Sequence, residues 1–289
     1  MMGVVSYLGY PVAYVETLAQ SRSVTTYTHG HADAVLRAHR WRTAENSAGY
    51  LLPHLRAGLS LLDVGCGPGS LTVDLARRVA PGRVVAIDSA VAPLDEARAA
   101  ATDAGVQVDV RVGDAYAIDL PDDSVDVVHA HQLLQHVADP VAVLREMARV
   151  CRPGGLVAAR DSDYAAMTWA PADPRLDRWL AIYRGTARAN GAEPDAGRRL
   201  LGWAHAAGLS DVTATAGTWC FANAEDRRWW GGLWADRTTG SSYGQQAIAA
   251  GLTDTPELAA VAEGLRAWAE HPDGWFVVVH GEILCRLPE

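Results

Sequence analysis

The chain contains no lysine; all 25 of its basic residues are arginine. Together with abundant alanine this bias points to a GC-rich coding sequence and carries no mechanistic weight. Thirty-four acidic residues outnumber the arginines, for a formal net charge of -9. Such a surface repels a phosphate backbone, and no local basic patch offsets it, so nucleic acid is not an expected partner. Cysteine is also scarce. Cys66, Cys151, Cys220 and Cys285 show no CxxC spacing, which indicates neither a zinc site nor a disulfide framework and fits a reducing cytosol. No apolar run approaches the ~18 residues of a membrane span. The first residues lack the basic start and cleavage pattern of a signal peptide. A soluble, cytoplasmic chain with no membrane partner is expected. At 289 residues and 49% hydrophobic content, it can bury a substantial core as one large domain, or as one domain with an appended subdomain.

What is present is an alternation of short apolar runs with helical patterns through the middle of the chain, the mark of a parallel sheet with crossover helices. Strands are predicted at 59–64, 83–87, 106–112, 124–128 and 155–160, with helices over 71–79, 92–104 and 140–150 between them. The Arg152-Pro153-Gly154-Gly155 stretch stops the last of these helices. Asp161-Ser162-Asp163-Tyr164 then forms the polar exit of the fifth strand, at the edge where open α/β sheets place ligands. Beyond Trp169 the pattern changes to aromatic-rich helices at 177–189, 197–207, 224–237 and 256–270. They are interrupted by strand-like runs at 212–221 and 275–287, read as a terminal antiparallel pair. Aromatics here, among them Trp219, Trp230 and Trp234, fit either a lid over an apolar substrate or ordinary core packing at helical spacing.

The most informative stretch is LLDVGCGPGS at 61–70. Its G-x-G-x-G spacing differs from the G-x-G-x-x-G of dinucleotide sites. Asp63 also puts a carboxylate beside the loop, awkward for a pyrophosphate and suited to an amino group or a donor network. Asp88 ends the second strand and is placed to accept from two ribose hydroxyls, and Asp114 follows the third and can receive an adenine amino group. One carboxylate per successive strand end describes an adenosine with an amino-acid tail and no phosphates.

With VVAIDSA at 84–90, VGDAYAIDLPDDSVDVVHAHQLLQHVADP at 112–140 and RPGG at 152–155, the chain resembles the class I S-adenosylmethionine-dependent methyltransferases, in their UbiE-like small-molecule branch, over roughly residues 41–160. The resemblance implies an α/β fold: a Rossmann-like, doubly wound, mostly parallel sheet with an antiparallel C-terminal strand pair and an inserted helical lid. It implies S-adenosylmethionine as cofactor and a small-molecule acceptor. Gly65 and Gly67, beside Asp63, then approach the methionine moiety, Asp88 and Ser89 hold the ribose, and Asp114 and Ala115 read the adenine. The chain from Ala130 through His131 to Gln132 meets the methionine end. Residues 26–55 resemble a segment that closes over the cofactor in a bacterial subgroup, which makes Tyr27, His31 and Arg42 candidates for cofactor contact. Arg42 would pair with the carboxylate or else lie on a solvated helix face. The implied organisation is an arm at 1–25, usable between subunits of a homo-oligomer, and the covering segment at 26–55. The core is 56–165 with 208–289, and the lid is 166–207 with 222–272.

Methyl transfer from a sulfonium needs alignment above all, and a general base only where the nucleophile starts protonated. His131 and His136 are the first candidates for that base, followed by Asp161 and Tyr164; for His136 the alternative is a helix-start histidine satisfied by backbone. The His29/His31 and His129/His131 pairs have no third ligand, so no metal is expected. Two competing readings remain. One is a nicotinamide-dependent oxidoreductase, disfavoured by the glycine spacing. The other is a cofactor-binding cyclase, sensor or assembly factor that transfers no methyl group.

Overall fold

The computed structural model describes Thr28 and residues 40–289. The expectations for residues 1–25, Tyr27, His29 and His31 lie outside the described residues. A seven-stranded sheet forms the frame, in the order β3-β2-β1-β4-β5-β7-β6. Its first five members, β1 (Leu61–Val64), β2 (Val84–Asp88), β3 (Asp109–Val112), β4 (Val125–His131) and β5 (Cys151–Ala170), run parallel. β6 (Asp211–Phe221) and β7 (Trp275–Arg286) form the expected terminal pair, with β7 antiparallel to both β5 and β6.

Side-chain alternation explains why the central strands read as continuous apolar runs: both faces are covered. Leu62, Val64, Val85, Ile87 and Val128 join one core. Leu61, Val84 and Val127, next to them in sequence, join the core on the opposite face. The covering helices are α1 (Ala44–Ser47), α2 (Ser70–Val79), α3 (Ala92–Asp103) and α4 (Pro140–Val150). The later helices are α5 (Pro174–Ala189), α6 (Leu200–Ala207), α7 (Ala224–Gly240), α8 (Ser242–Ala249) and α9 (Thr255–Glu270). α5, α7, α8 and α9 build a third core rich in rings, where Trp179 lies 4.7 Å from Trp234 and Phe221 stacks on Trp230 at 4.4 Å.

Three elements differ from the sequence reading. β5 does not exit at Asp161; it continues to Ala170 because β7 pairs with it through Asp163 and again from Thr168 to Ala170. The polar run is tolerated inside the strand because it is paired, as when Asp163 takes both guanidinium contacts of Arg198. The helix expected from Gly197 begins instead as a 3₁₀ turn, Ala196–Arg199, and becomes α6 at Leu200. α8 carries no apolar stripe in Ser-Tyr-Gly-Gln-Gln and was not predicted; its start is fixed by Ser241, whose hydroxyl accepts from the Tyr243 N–H at 3.2 Å.

Candidate active site

A cavity of about 300 Å³ opens where the parallel strands end. Gly65 and Gly67 form one wall, with φ of 76° and 54°, a region that favours glycine. A Cβ at Gly65 would stand 3.0 Å from Leu133 Cδ1. Gly69 has a different duty. It precedes α2, and a Cβ there would come within 2.8 Å of Ala97 Cβ in α3, so the third glycine serves helix packing and does not line the cavity.

Asp88 reaches the cavity from the end of β2. Its carboxylate accepts from the Gly67 and Ala90 N–H groups, each at 2.9 Å, which orders the loop and leaves lone pairs toward the space. Ser89 lies beside it, and Asp114 and Ala115 continue the wall after β3. Asp114 accepts from the Tyr116 N–H at 2.8 Å, and the Tyr116 hydroxyl accepts from the Asp139 N–H at 2.9 Å, anchoring this corner to the start of α4. The lining fits an adenosine: glycine backbone at one end and two strand-end carboxylates, as acceptors, along the wall.

Asp63 and Ala130 are placed otherwise. Ala130 is fully buried in the sheet core. Asp63 borders a small adjoining recess, where its oxygens accept from Thr72 Oγ1 at 2.5 Å and pair with His129 Nδ1 at 3.0 Å.

Arg42 arrives from the N-terminal side. A capping box between Thr43 and Asn46 fixes α1, and Trp41 packs edge-on against Trp219 at 5.1 Å. Trp219 Nε1 also donates to the Asn46 carbonyl at 2.7 Å, so the segment is pinned to β6 and Arg42 lines the cavity, donating to Gln132 Oε1. Gln132 sits at φ 52°, held by its N–H to the Arg160 carbonyl at 2.7 Å and its side-chain amide to Ser162 Oγ at 2.8 Å.

Of the proposed bases, Asp161 is not brought to the cavity. It is fully buried and accepts from the Leu134 and Gln135 N–H groups, each at 3.2 Å, at the start of the 3₁₀ turn Leu134–His136. Burial pushes its carboxyl up to about 7. His131 and His136 both line the cavity. Burial, and secondarily the Arg42 charge, brings His136 down to about 3. Burial and the charges of Arg42 and Arg160 hold His131 well below the usual imidazole range. The His129/His131 pair forms no cation site, since Asp63 engages one ring and Arg160 the other. Among the described residues no group of three or more His, Cys, Asp or Glu converges as metal ligands.

The far wall is apolar: Tyr164, Met167, Trp219, Trp230, Trp234 and Val278. The Arg237 guanidinium lies 5.0 Å from the Trp234 ring centroid at its rim. Thus some of the later aromatics face the cavity while Trp179 is core. Tyr116, Ser162, Met167 and Arg237 were not singled out from sequence as cofactor or acceptor contacts. Ser162 lay in the polar exit of the fifth strand that the sequence placed at the ligand edge, and Tyr116 stands two residues past Asp114; Met167 and Arg237 carried no positional signal.

The methyltransferase domain family matches residues 62–159. An uncharacterized methyltransferase of Schizosaccharomyces pombe is 32% identical over 274 residues, covering 91% of this chain and 97% of its own length. A protein of Aspergillus luteorubrus named "probable methyltransferase ltbC" is 28% identical over 289 residues, covering 92% and 99%. The YcgJ protein of Bacillus subtilis, with 19% identity and a TM-score of 0.57 over 85% of this chain and 99% of its own, has the same fold. The glycine loop with its strand-end carboxylates and the near full-length likeness to a methyltransferase agree: the chain belongs to the class I S-adenosylmethionine-dependent methyltransferases, and its cofactor is S-adenosylmethionine.

Proposed function

We propose that the enzyme transfers the cofactor methyl group to an O, N or C atom of a small, largely apolar metabolite of the kind secondary metabolism supplies. The observation that carries this reading is the continuity of one cavity, with carboxylates and glycines on one side and Tyr164, Trp219, Trp230 and Trp234 on the other. Among the described residues lining that apolar side there is no carboxylate to attract a cationic acceptor.

The cofactor brings an activated methyl group on a sulfonium. The chain's own part is to place and shield. In this reading Gly65 and Gly67 admit the methionine moiety, Asp88 and Ser89 take the ribose, Asp114 and Ala115 the adenine, and Arg42 the carboxylate. The aromatic wall excludes water and holds the acceptor in line with the methyl carbon. Proton removal is a minor part, because His136 is a weak base at about 3 and Asp161 lies behind the 3₁₀ turn. The acceptor thus arrives nucleophilic or readily ionised.

The test is incubation of the full chain with S-adenosylmethionine and a panel of phenols, indoles, apolar acids and amines, read by mass spectrometry. A product one methyl group heavier from the neutral or acidic aromatic members supports the reading. Methylation confined to cationic amines contradicts it.

A further inference from the structure

His131 has been considered as a base, but its surroundings assign it another part. Arg160 is 1% exposed and spreads its guanidinium over three partners: Nε to Glu282 Oε1, one terminal nitrogen to His131 Nε2, and the other to His280 Nδ1, each at 3.1 Å. Glu282, also buried, accepts further from Thr215 Oγ1 at 2.8 Å, and the Trp219 ring covers Arg160 at 5.1 Å. An arginine at this site has only donors to offer and is always charged. Its contact with Nε2 therefore consumes the one lone pair of a neutral imidazole, and the ring proton must sit on Nδ1. Burial and neighbouring positive charge favour the neutral ring. Nδ1 is buried and has no hydrogen-bond partner among the described residues, although His131 is 5% exposed and borders both the main cavity and the recess behind the glycine loop.

We propose that Arg160, fixed by Glu282, is a positioning residue that locks His131 as the Nδ1–H tautomer, so that His131 presents a neutral hydrogen-bond donor to an anionic or carbonyl oxygen of a bound molecule. That oxygen belongs either to the carboxylate of the cofactor or to the methyl acceptor. A donor cannot take a proton from the nucleophile, so His131 binds and orients and does not act as base. The inference rests on the cavity being the cofactor and acceptor site.

The tautomer is read from long-range proton–nitrogen NMR correlations of the full chain, with His131 assigned by its loss in His131→Phe. Expected is a protonated Nδ1 and a bare Nε2 in the free protein, with the preference lost in the double variant Arg160→Met, Glu282→Met, which removes both buried charges together. A protonated Nε2 in the wild type overturns the proposal. Calorimetry of His131→Phe then names the oxygen. If it is the cofactor's, affinity for S-adenosylhomocysteine falls about tenfold or more while that for methylthioadenosine, which lacks the carboxylate, is unchanged. If it is the acceptor's, both affinities hold and kcat/KM for methylation falls by a similar factor. No change in any of the three overturns the donor role. Wild-type protein that binds neither adenosyl compound overturns the site assignment instead, while the tautomer in the free protein is still decided separately.

Discussion

The Asp88 carboxylate accepts the Gly67 backbone N–H at 2.9 Å, tying the end of β2 to the middle glycine of the loop that follows β1. The contact joins the two features on which the cofactor reading depends, the acidic strand end and the positive-φ loop. It also means that Asp88 orders the loop as well as facing the cavity.

Gly69→Ala should destabilise the fold without touching the cavity. The new Cβ would meet Ala97 of α3, and φ of 80° penalises any L side chain. A loss of about 1–4 kcal/mol is expected, seen as a lower Tm, with cofactor affinity of the folded fraction retained. Unchanged Tm would show that α2 and α3 are not so closely packed there.

Asp161 makes stability depend on pH. Its folded value, raised to about 7 by burial, lies above the ordinary carboxyl value, so the folded state holds the proton more tightly than the unfolded state. The contribution is fully present below about pH 4 and is lost as pH rises to about 7, flattening above. Asp161→Asn cannot ionise, so its stability relative to wild type should rise over that window, by roughly 4 kcal/mol at most. Urea unfolding at several pH values checks this, and parallel wild-type and variant curves would contradict it.

Trp230→Leu should separate acceptor binding from cofactor binding. Trp230 lines the apolar side and stacks on Phe221 at 4.4 Å. KM for the acceptor is expected to rise roughly tenfold, with S-adenosylhomocysteine affinity within twofold of wild type. An equal loss of both would place Trp230 in the general scaffold.

The parallel core was legible because strands buried on both faces appear as apolar runs, unbroken in Val84–Ile87 and interrupted only by Asp63 in Leu61–Val64. Asp88, Asp114 and the loop glycines were legible for the same reason, since each stands where an apolar run stops. The continuation of β5 was not. Asp161, Ser162 and Asp163 look like a loop until their partners on β7, the 3₁₀ turn and Arg198 are known. The state of His131 was equally hidden, because it is set by Arg160, 29 residues away, and Arg160 by Glu282, 122 residues further on. Histidines at a ligand edge suggest bases, and only the far partner decides whether a lone pair is left.

The measurement that bears most directly on the site is titration calorimetry of S-adenosylhomocysteine with wild type and Asp88→Ala, paired with thermal unfolding. Expected is an affinity about 10- to 100-fold weaker in the variant, from the loss of charged-acceptor hydrogen bonds, with a modest fall in Tm from the two loop N–H groups that lose their acceptor. Equal affinity in the two proteins would contradict the placement of the cofactor ribose at Asp88.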